Sequence, residues 1–200
     1  LTGTCFTDTF GVVFALAFSP DGKRIAAATG MNLRVWHTKD NQTLFTCVGH
    51  TSDVWYVCFS PDGKYLVSGS GDNTVRLWDS ESGQCLHTFV GHTGGVYYAC
   101  FSPDSKLVAS VSLDQTARLW SSEDGKCQHT LPEHSSEGQW PIAFSPDGKR
   151  FATAGDEYTL CLWDSESGQT LNTLYGHTDK ITTIRFTPDG ELLASASHDQ

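Results

Sequence analysis

GHTSDVWYVCFSPDGKYLVSGSGDNTVRLWDSESGQCLHTFV, residues 49–90, decides the fold. Four runs within it, Val54 to Phe59, Tyr65 to Ser70, Thr74 to Trp78 and Cys85 to Val90, are five or six residues long and rich in aromatic and β-branched types. That is the signature of short strands. The breaks between them are turns with a mechanism. Pro61-Asp62-Gly63 presets one backbone angle and permits a positive one, Gly71-Asp72-Asn73 does likewise, and Ser80-Glu81-Ser82-Gly83 loops out. No run carries a helical period. A four-stranded sheet that is apolar on both faces cannot stand alone and must be stacked between others.

The chain supplies those others itself. Trp36, Trp78, Trp120 and Trp163 are 42, 42 and 43 residues apart, and His50, His92, His134 and His177 keep the same steps. The turn repeats as Ser19-Pro20-Asp21-Gly22, Ser60-Pro61-Asp62-Gly63, Ser102-Pro103-Asp104-Ser105, Ser145-Pro146-Asp147-Gly148 and Thr187-Pro188-Asp189-Gly190. Such a period means a repeat array. The copies run approximately over 7–48, 49–90, 91–132, 133–175 and, in part, 176–200, within one domain over 1–200.

Composition narrows the class. With 38% hydrophobic and 12% aromatic residues in 200, the chain can bury a sizeable core. Its seven cysteines form no C-x-x-C pair and sit mostly in apolar runs such as Val57-Cys58-Phe59, so they read as reduced core residues of a cytoplasmic protein, with no metal or other cofactor. The longest apolar run, Val12 to Phe18, is far short of the roughly 18 residues a membrane span needs, and no signal peptide opens the chain. Thirteen Lys and Arg against 23 Asp and Glu give a net charge of -10, and the basic residues are scattered, which argues against nucleic acid as a partner.

The period, the Gly-His pairs, stretches such as Ser68-Gly69-Ser70-Gly71-Asp72, and the dipeptides Trp78-Asp79 and Trp163-Asp164 closely resemble WD40 repeats across essentially the whole chain. The resemblance implies an all-β propeller of four-stranded antiparallel blades, four complete and one partial, in which the first strand of each blade lines a central channel and the fourth lies outermost. Such arrays commonly close with seven blades, so the chain reads as part of a larger propeller, with Leu1 to Phe6 the outer strand of another blade. The opening Phe6-Thr7-Asp8-Thr9-Phe10-Gly11, with Ala17 to Gly22, is similar to the first blade of arrays that follow nucleotide-binding signalling ATPases in bacteria. No phosphate-binding loop lies in these residues, so such a domain would lie upstream.

Ser68, His50 and Asp72 have the residue types of a hydrolase triad. The same types recur as Ser110, His92 and Asp114, and as Ser195, His177 and Asp199. A catalyst needs one activated nucleophile, whereas a motif stamped on successive blades answers a need of every blade. The resemblance implies a hydrogen-bonded tetrad with Trp78 or Trp120, and no catalytic residue. Two copies depart from it. In the first, Thr9 falls where His is expected and a step of 42 puts Ala26 and Gly30 where Ser and Asp are expected, with one residue missing before Trp36, so this blade is expected to be the weakest. In the fourth, Pro141 interrupts the first strand, Glu157 takes the Asp place behind Asp156, and the set becomes His134, Thr153 and Trp163.

Five residues before the Ser or Thr of each turn stand Phe14, Trp55, Tyr97, Trp140 and Thr182. By the resemblance this column starts the innermost strands, on the channel rim where partners dock. The flanking rim positions are Asp53, Gly95, Lys180, Gly71, Leu113, Asp156 and His198. Clustered rim aromatics have the composition of binding hot spots, although rings can also merely fill space between inner strands. The leading expectation is a noncatalytic scaffold or sensor that binds a protein or peptide at this collar. The alternatives are a hydrolase and an architectural array without a dedicated ligand.

Overall fold

A computed structural model describes residues 12–132 and 141–199. Strands β1 (Val13–Phe18), β2 (Arg24–Thr29), β3 (Asn32–His37) and β4 (Thr43–Cys47) pair in sequence order into an antiparallel sheet. The next sheets are β5 (Val54–Phe59), β6 (Tyr65–Ser70), β7 (Val75–Asp79) and β8 (Cys85–Phe89), then β9 (Val96–Phe101), β10 (Leu107–Ser112), β11 (Ala117–Ser121) and β12 (Cys127–Leu131). A fourth is formed by β13 (Ile142–Phe144), β14 (Arg150–Ala154), β15 (Leu160–Asp164) and β16 (Thr170–Leu174), and β17 (Ile181–Phe186) with β18 (Leu193–Ser197) makes a two-stranded fifth. One 3-10 turn, Asp156–Tyr158, is the only helical element among the described residues. None of them forms a helix long and apolar enough to cross a membrane.

The boundaries agree with the repeat reading to within a residue or so, and one difference has a cause. Thr74 lies outside β7 because the Asp72 carboxylate takes both its backbone N–H (3.0 Å) and its hydroxyl (2.6 Å). The inner strands β1, β5, β9, β13 and β17 lie side by side. The sheets stack like blades around them.

The second and third sheets bury two unlike faces. Ala26, Ala28, Leu33, Val35 and Cys47 of the first meet Val54, Val57, Phe59, Leu66 and Trp78 of the second. Val67, Val75, Leu77 and Phe89 of the second meet Val96, Ala99, Phe101, Val108 and Trp120 of the third. Trp36, Trp78 and Trp120 are each 1% exposed. The six described cysteines are free thiols, and burial pushes those of Cys47 and Cys58 up to about 12.

The Gly-His pair has a steric origin. Arg76 lies over the Trp78 ring at 5.9 Å and Arg118 over Trp120 at 5.8 Å, where each guanidinium occupies the place of a Cβ on Gly49 or Gly91. The fourth copy, which has Glu133 in place of the glycine, also has Cys161 in place of the arginine.

The two irregular copies carry a different arginine. Arg24, at the start of β2, reaches the carbonyls of Ser80 and of Gly63 (3.1 Å) in the second sheet and lies 5.5 Å over Phe59. Arg150, at the equivalent place in β14, donates to the Gly190 carbonyl of the fifth sheet (2.9 Å) and lies 5.9 Å over Phe186. The regular copies have Tyr65 and Leu107 there. Hydrogen bonds from a charged donor stabilise by about 1.5–3 kcal/mol. Arg24→Leu is therefore expected to lower stability to urea by about that amount, and Arg24→Lys to recover less than half, since an ammonium lacks the planar fork that spans two carbonyls. The neighbouring exposed change Lys23→Ala should stay within about 0.5 kcal/mol of the native protein.

Candidate functional site

Two polar and aromatic constellations compete for a functional role. The first is the repeated His–Ser–Asp set. His50 Nδ1 lies 2.8 Å from Asp72 Oδ2, its Nε2 lies 2.7 Å from Ser68 Oγ, and the Trp78 indole N–H donates to the same Ser68 oxygen at 2.9 Å. One neutral tautomer satisfies every atom. Nδ1–H donates to the carboxylate, the Ser68 hydroxyl donates to Nε2, and its oxygen accepts the indole proton. Asp72 also accepts the Thr51 backbone N–H at 3.0 Å.

His92 repeats the set with Asp114 (2.9 Å), Ser110 (2.8 Å) and Trp120 (2.8 Å from Ser110). His177 does so with Asp199 and Ser195, at 2.9 and 2.8 Å. Ser68 and Ser110 are 0% exposed. A hydroxyl sealed beneath an indole cannot meet a substrate, so the His50 and His92 sets join loops to strands and stabilise the blades. Burial draws His50 and His92 below the ordinary 6.5, the nearby carboxylates opposing it only in part. Burial would raise the Asp72 carboxyl, but the bonds from Thr74, Thr51 and His50 outweigh it and hold it at about 2.

In the first sheet the register corrects the fixed-step reading. Ser68 pairs with Arg76, and the residue that pairs with Arg34 is Ala27, not Ala26. Ala26 instead faces the second sheet. The missing residue falls between Gly30 and Asn32, where Met31 alone stands for the Asp72-Asn73 pair, so Gly30 matches Gly71 rather than Asp72. A count of 42 crosses this deletion and slips by one. In the fourth sheet Trp163 donates to Thr153 at 2.8 Å, β13 starts directly after Pro141, and Glu157 is exposed with φ 50°. Thr9 and His134 lie outside the described residues.

The second constellation is the collar. Phe14, Trp55, Tyr97 and Thr182 are each the residue skipped by the ladder of their inner strand. Val54 pairs with Ser70 and Tyr56 with Gly69, leaving Trp55 as the extra residue, and the same shift occurs at Phe14, Tyr97 and Thr182. A bulge re-aims its side chain. These four line one depression of about 470 Å³ together with Leu16 and Tyr98. Phe14 is 46% exposed. Tyr97 stacks on Trp55, centroids 4.7 Å apart and planes 25° from parallel.

Trp55 also packs. A Cβ on Gly95 would stand 2.5 Å from Trp55 Cζ3, and one on Gly71 3.0 Å from Cζ2. Gly71 and Gly95, expected as rim contacts, are therefore the floor beneath this ring. The other rim positions Asp53, Leu113, Lys180 and His198 are at the surface, as is Thr182. Backbone bonds tie them in pairs, from Gly71 to Asp53 and Leu113 to Gly95 at 2.9 Å and from His198 to Lys180 at 3.0 Å. Asp156 opens the 3-10 turn, its side chain and Trp140 being outside the described residues.

The sequence reading missed Tyr56 and Tyr98, whose rings lie 4.0 Å apart at the next position of β5 and β9 and line the same depression. Burial raises the pKa of both hydroxyls. Counting four residues back from each turn would have found the pair. Among the described residues no group of three His, Cys, Asp or Glu is placed to hold a metal ion.

Stacked four-stranded sheets with repeated His–Ser–Asp–Trp sets and an inner strand bulged at one mouth define a WD40-type β-propeller architecture. Residues 12–154 match the family model described as IFT122 first beta-propeller, and residues 168–200 match WD domain, G-beta repeat. The chain belongs to the WD40-repeat β-propeller family, in the group of the IFT122 first propeller. A segment of 63 residues is 38% identical to the Intraflagellar transport protein 122 homolog of Mus musculus, over 32% of this chain and 5% of that protein. One of 62 residues is 47% identical to an uncharacterized WD repeat-containing protein of Synechocystis sp., over 30% of this chain and 18% of the relative. Another of 63 residues is 40% identical to Target of rapamycin complex subunit wat1 of Schizosaccharomyces pombe, over 30% and 20%. The matches thus cover a fifth or less of these relatives' own length.

Two outcomes follow for the tetrads. His92→Ala or Asp114→Ala should cost about 1–3 kcal/mol in denaturant melts by orphaning buried partners, and Thr9→Ala much less. Because His50 and His92 are held neutral, the unfolded chain takes up the proton first. Stability should be full above about pH 6.5, fall as acid is added below it, and fall again below about pH 4, where the unfolded but not the folded Asp72 protonates. The urea midpoint measured against pH checks this, and His50→Gln should flatten the upper step.

Proposed function

We propose that this chain is a noncatalytic interaction module that receives a protein or peptide at the mouth ringed by Phe14, Trp55, Tyr97 and Thr182. The observation that supports it most is that the bulged residues of four different blades line one depression of about 470 Å³. A bulge gives up ladder pairing in these four inner strands, and here the effect is to bring aromatic surface to a single place. Rings at the centre with exposed Asp53, Lys180 and His198 at the rim follow the anatomy of an interface, an apolar core inside a polar border. The names of relatives are in keeping with this: one is a subunit of the target of rapamycin complex and another an intraflagellar transport protein. The burial of Ser68 and Ser110 weighs against hydrolysis. In its finer form the reading makes the propeller a cytoplasmic sensor for a nucleotide-binding switch domain upstream in the same chain, on the strength of Phe6 to Gly22.

A phage-displayed random peptide library panned on the native protein provides the test. Phe14→Ala should weaken the selected peptides by about 2 kcal/mol or more, the scale of a hot spot, with little change in thermal midpoint. Trp55→Ala should lose both affinity and stability, since its ring rests on Gly71 and Gly95. Trp78→Ala should cost about 3–5 kcal/mol of stability while binding per folded molecule persists. Selected peptides that bind Phe14→Ala and Trp55→Ala as tightly as the native protein would overturn the proposal.

A further inference from the structure

Two residues before each turn, the inner strands present Ala17, Cys58, Cys100, Ala143 and Arg185. Four of the five are small and half-buried; the fifth is an exposed arginine. Cys100, Ala143 and Arg185 together line a second depression, of about 450 Å³, whose other walls include Phe144, Pro146 and Phe186. It lies against the same inner strands as the collar, at their turn ends.

The chemistry of Arg185 is unlike that of Arg24, Arg76, Arg118 and Arg150. Arg24 and Arg150 are spent on carbonyls of the next blade, and Arg76 and Arg118 on tryptophan faces. Arg185 donates from Nη1 to the adjacent Ile184 carbonyl at 2.7 Å, and no described carboxylate lies within ion-pair distance of it. None of these five arginines meets a described carboxylate, and Arg185 is the one among them with neither a carbonyl of another blade nor a ring face to occupy it, in a chain with 23 acidic and 13 basic residues. Its field reaches Tyr98 and Cys100, which burial nevertheless keeps neutral, so neither answers its charge.

We propose that Arg185 is an anion-recognising residue of the inner wall, and that the partner is an extended acidic peptide that places a carboxylate on this guanidinium and an apolar side chain against Phe144 and Phe186. The charge of the wall selects the peptide and the flanking rings hold it. This rests on the reading that partners dock at the inner strands, and it adds which chemistry they bring. A carboxylate meets a guanidinium through paired N–H donors, a geometry that neither an amide nor an ammonium reproduces.

Short Gly-spaced peptides that pair Phe with Glu, Gln or Lys, labelled with rhodamine and followed by fluorescence anisotropy, test it. The native protein should bind the Phe/Glu peptide about tenfold or more tightly than the Phe/Gln peptide at about 50 mM salt, with the margin shrinking at about 300 mM. Arg185→Gln should erase the margin, and Arg185→Glu should turn the preference to Phe/Lys, with melts confirming that both variants fold. Trp55→Ala should leave the Glu/Gln margin unchanged, because that ring lines the other depression. Equal binding of the Glu and Gln peptides, no binding of the Glu peptide, or a margin that survives Arg185→Gln overturns the assignment. If the peptides selected on the native protein still lose affinity to Phe14→Ala, such a result leaves the collar reading standing; no Phe14 effect removes both.

Discussion

The structure depends on burying sheets that are apolar on both faces. A sheet such as β5 to β8 has no solvent side: Leu66 and Trp78 point back to one neighbour while Val67, Leu77 and Phe89 point forward to the next. Neither face can be left to water without forfeiting about 25 cal/mol for each square ångström exposed. Stacking is therefore obligatory, and the large-against-small match fixes which face meets which. Ala26 and Ala28 leave the room that Trp78 and Phe59 fill. The polar sets follow from this arrangement, because a tryptophan buried that deeply needs somewhere for its N–H, and Ser68 or Ser110 provides it.

Repetition also shows how to tell support from function. A feature present in every regular copy, such as the His–Ser–Asp–Trp set, serves the blade. Features that change between copies at a fixed place are where the protein does something particular. Arg24 and Arg150 replace Tyr65 and Leu107 in the two copies with irregular sets, and each fastens its blade to the following one through backbone carbonyls. Arg185 replaces a small wall residue and meets no described carboxylate. The first substitution is explained within the fold, and the second points out of it.

The collar shares both characters. Its bulges turn Phe14, Trp55, Tyr97 and Thr182 toward one mouth, yet the Trp55 ring rests on glycines of its own and the next blade. A ring held in this way is preorganised, which lowers the entropy a binding event must remove. Packing and presentation are thus two aspects of one side chain.

Much of this was legible in the sequence. The 42-residue step, the Pro-Asp-Gly turns and the alternating strand runs determined the number of copies and the strand order, because turn chemistry and side-chain period are local properties of the chain. Tertiary structure decided what depends on contacts between copies. It moved the position equivalent to Ser68 from Ala26 to Ala27, since register follows the ladder and not a count across a deletion. It turned Gly71 and Gly95 from rim contacts into the floor under Trp55, and it joined Tyr56 to Tyr98 across two blades. Residues about forty apart in sequence have no local signal that they touch; only the stacking of one sheet on the next brings them together.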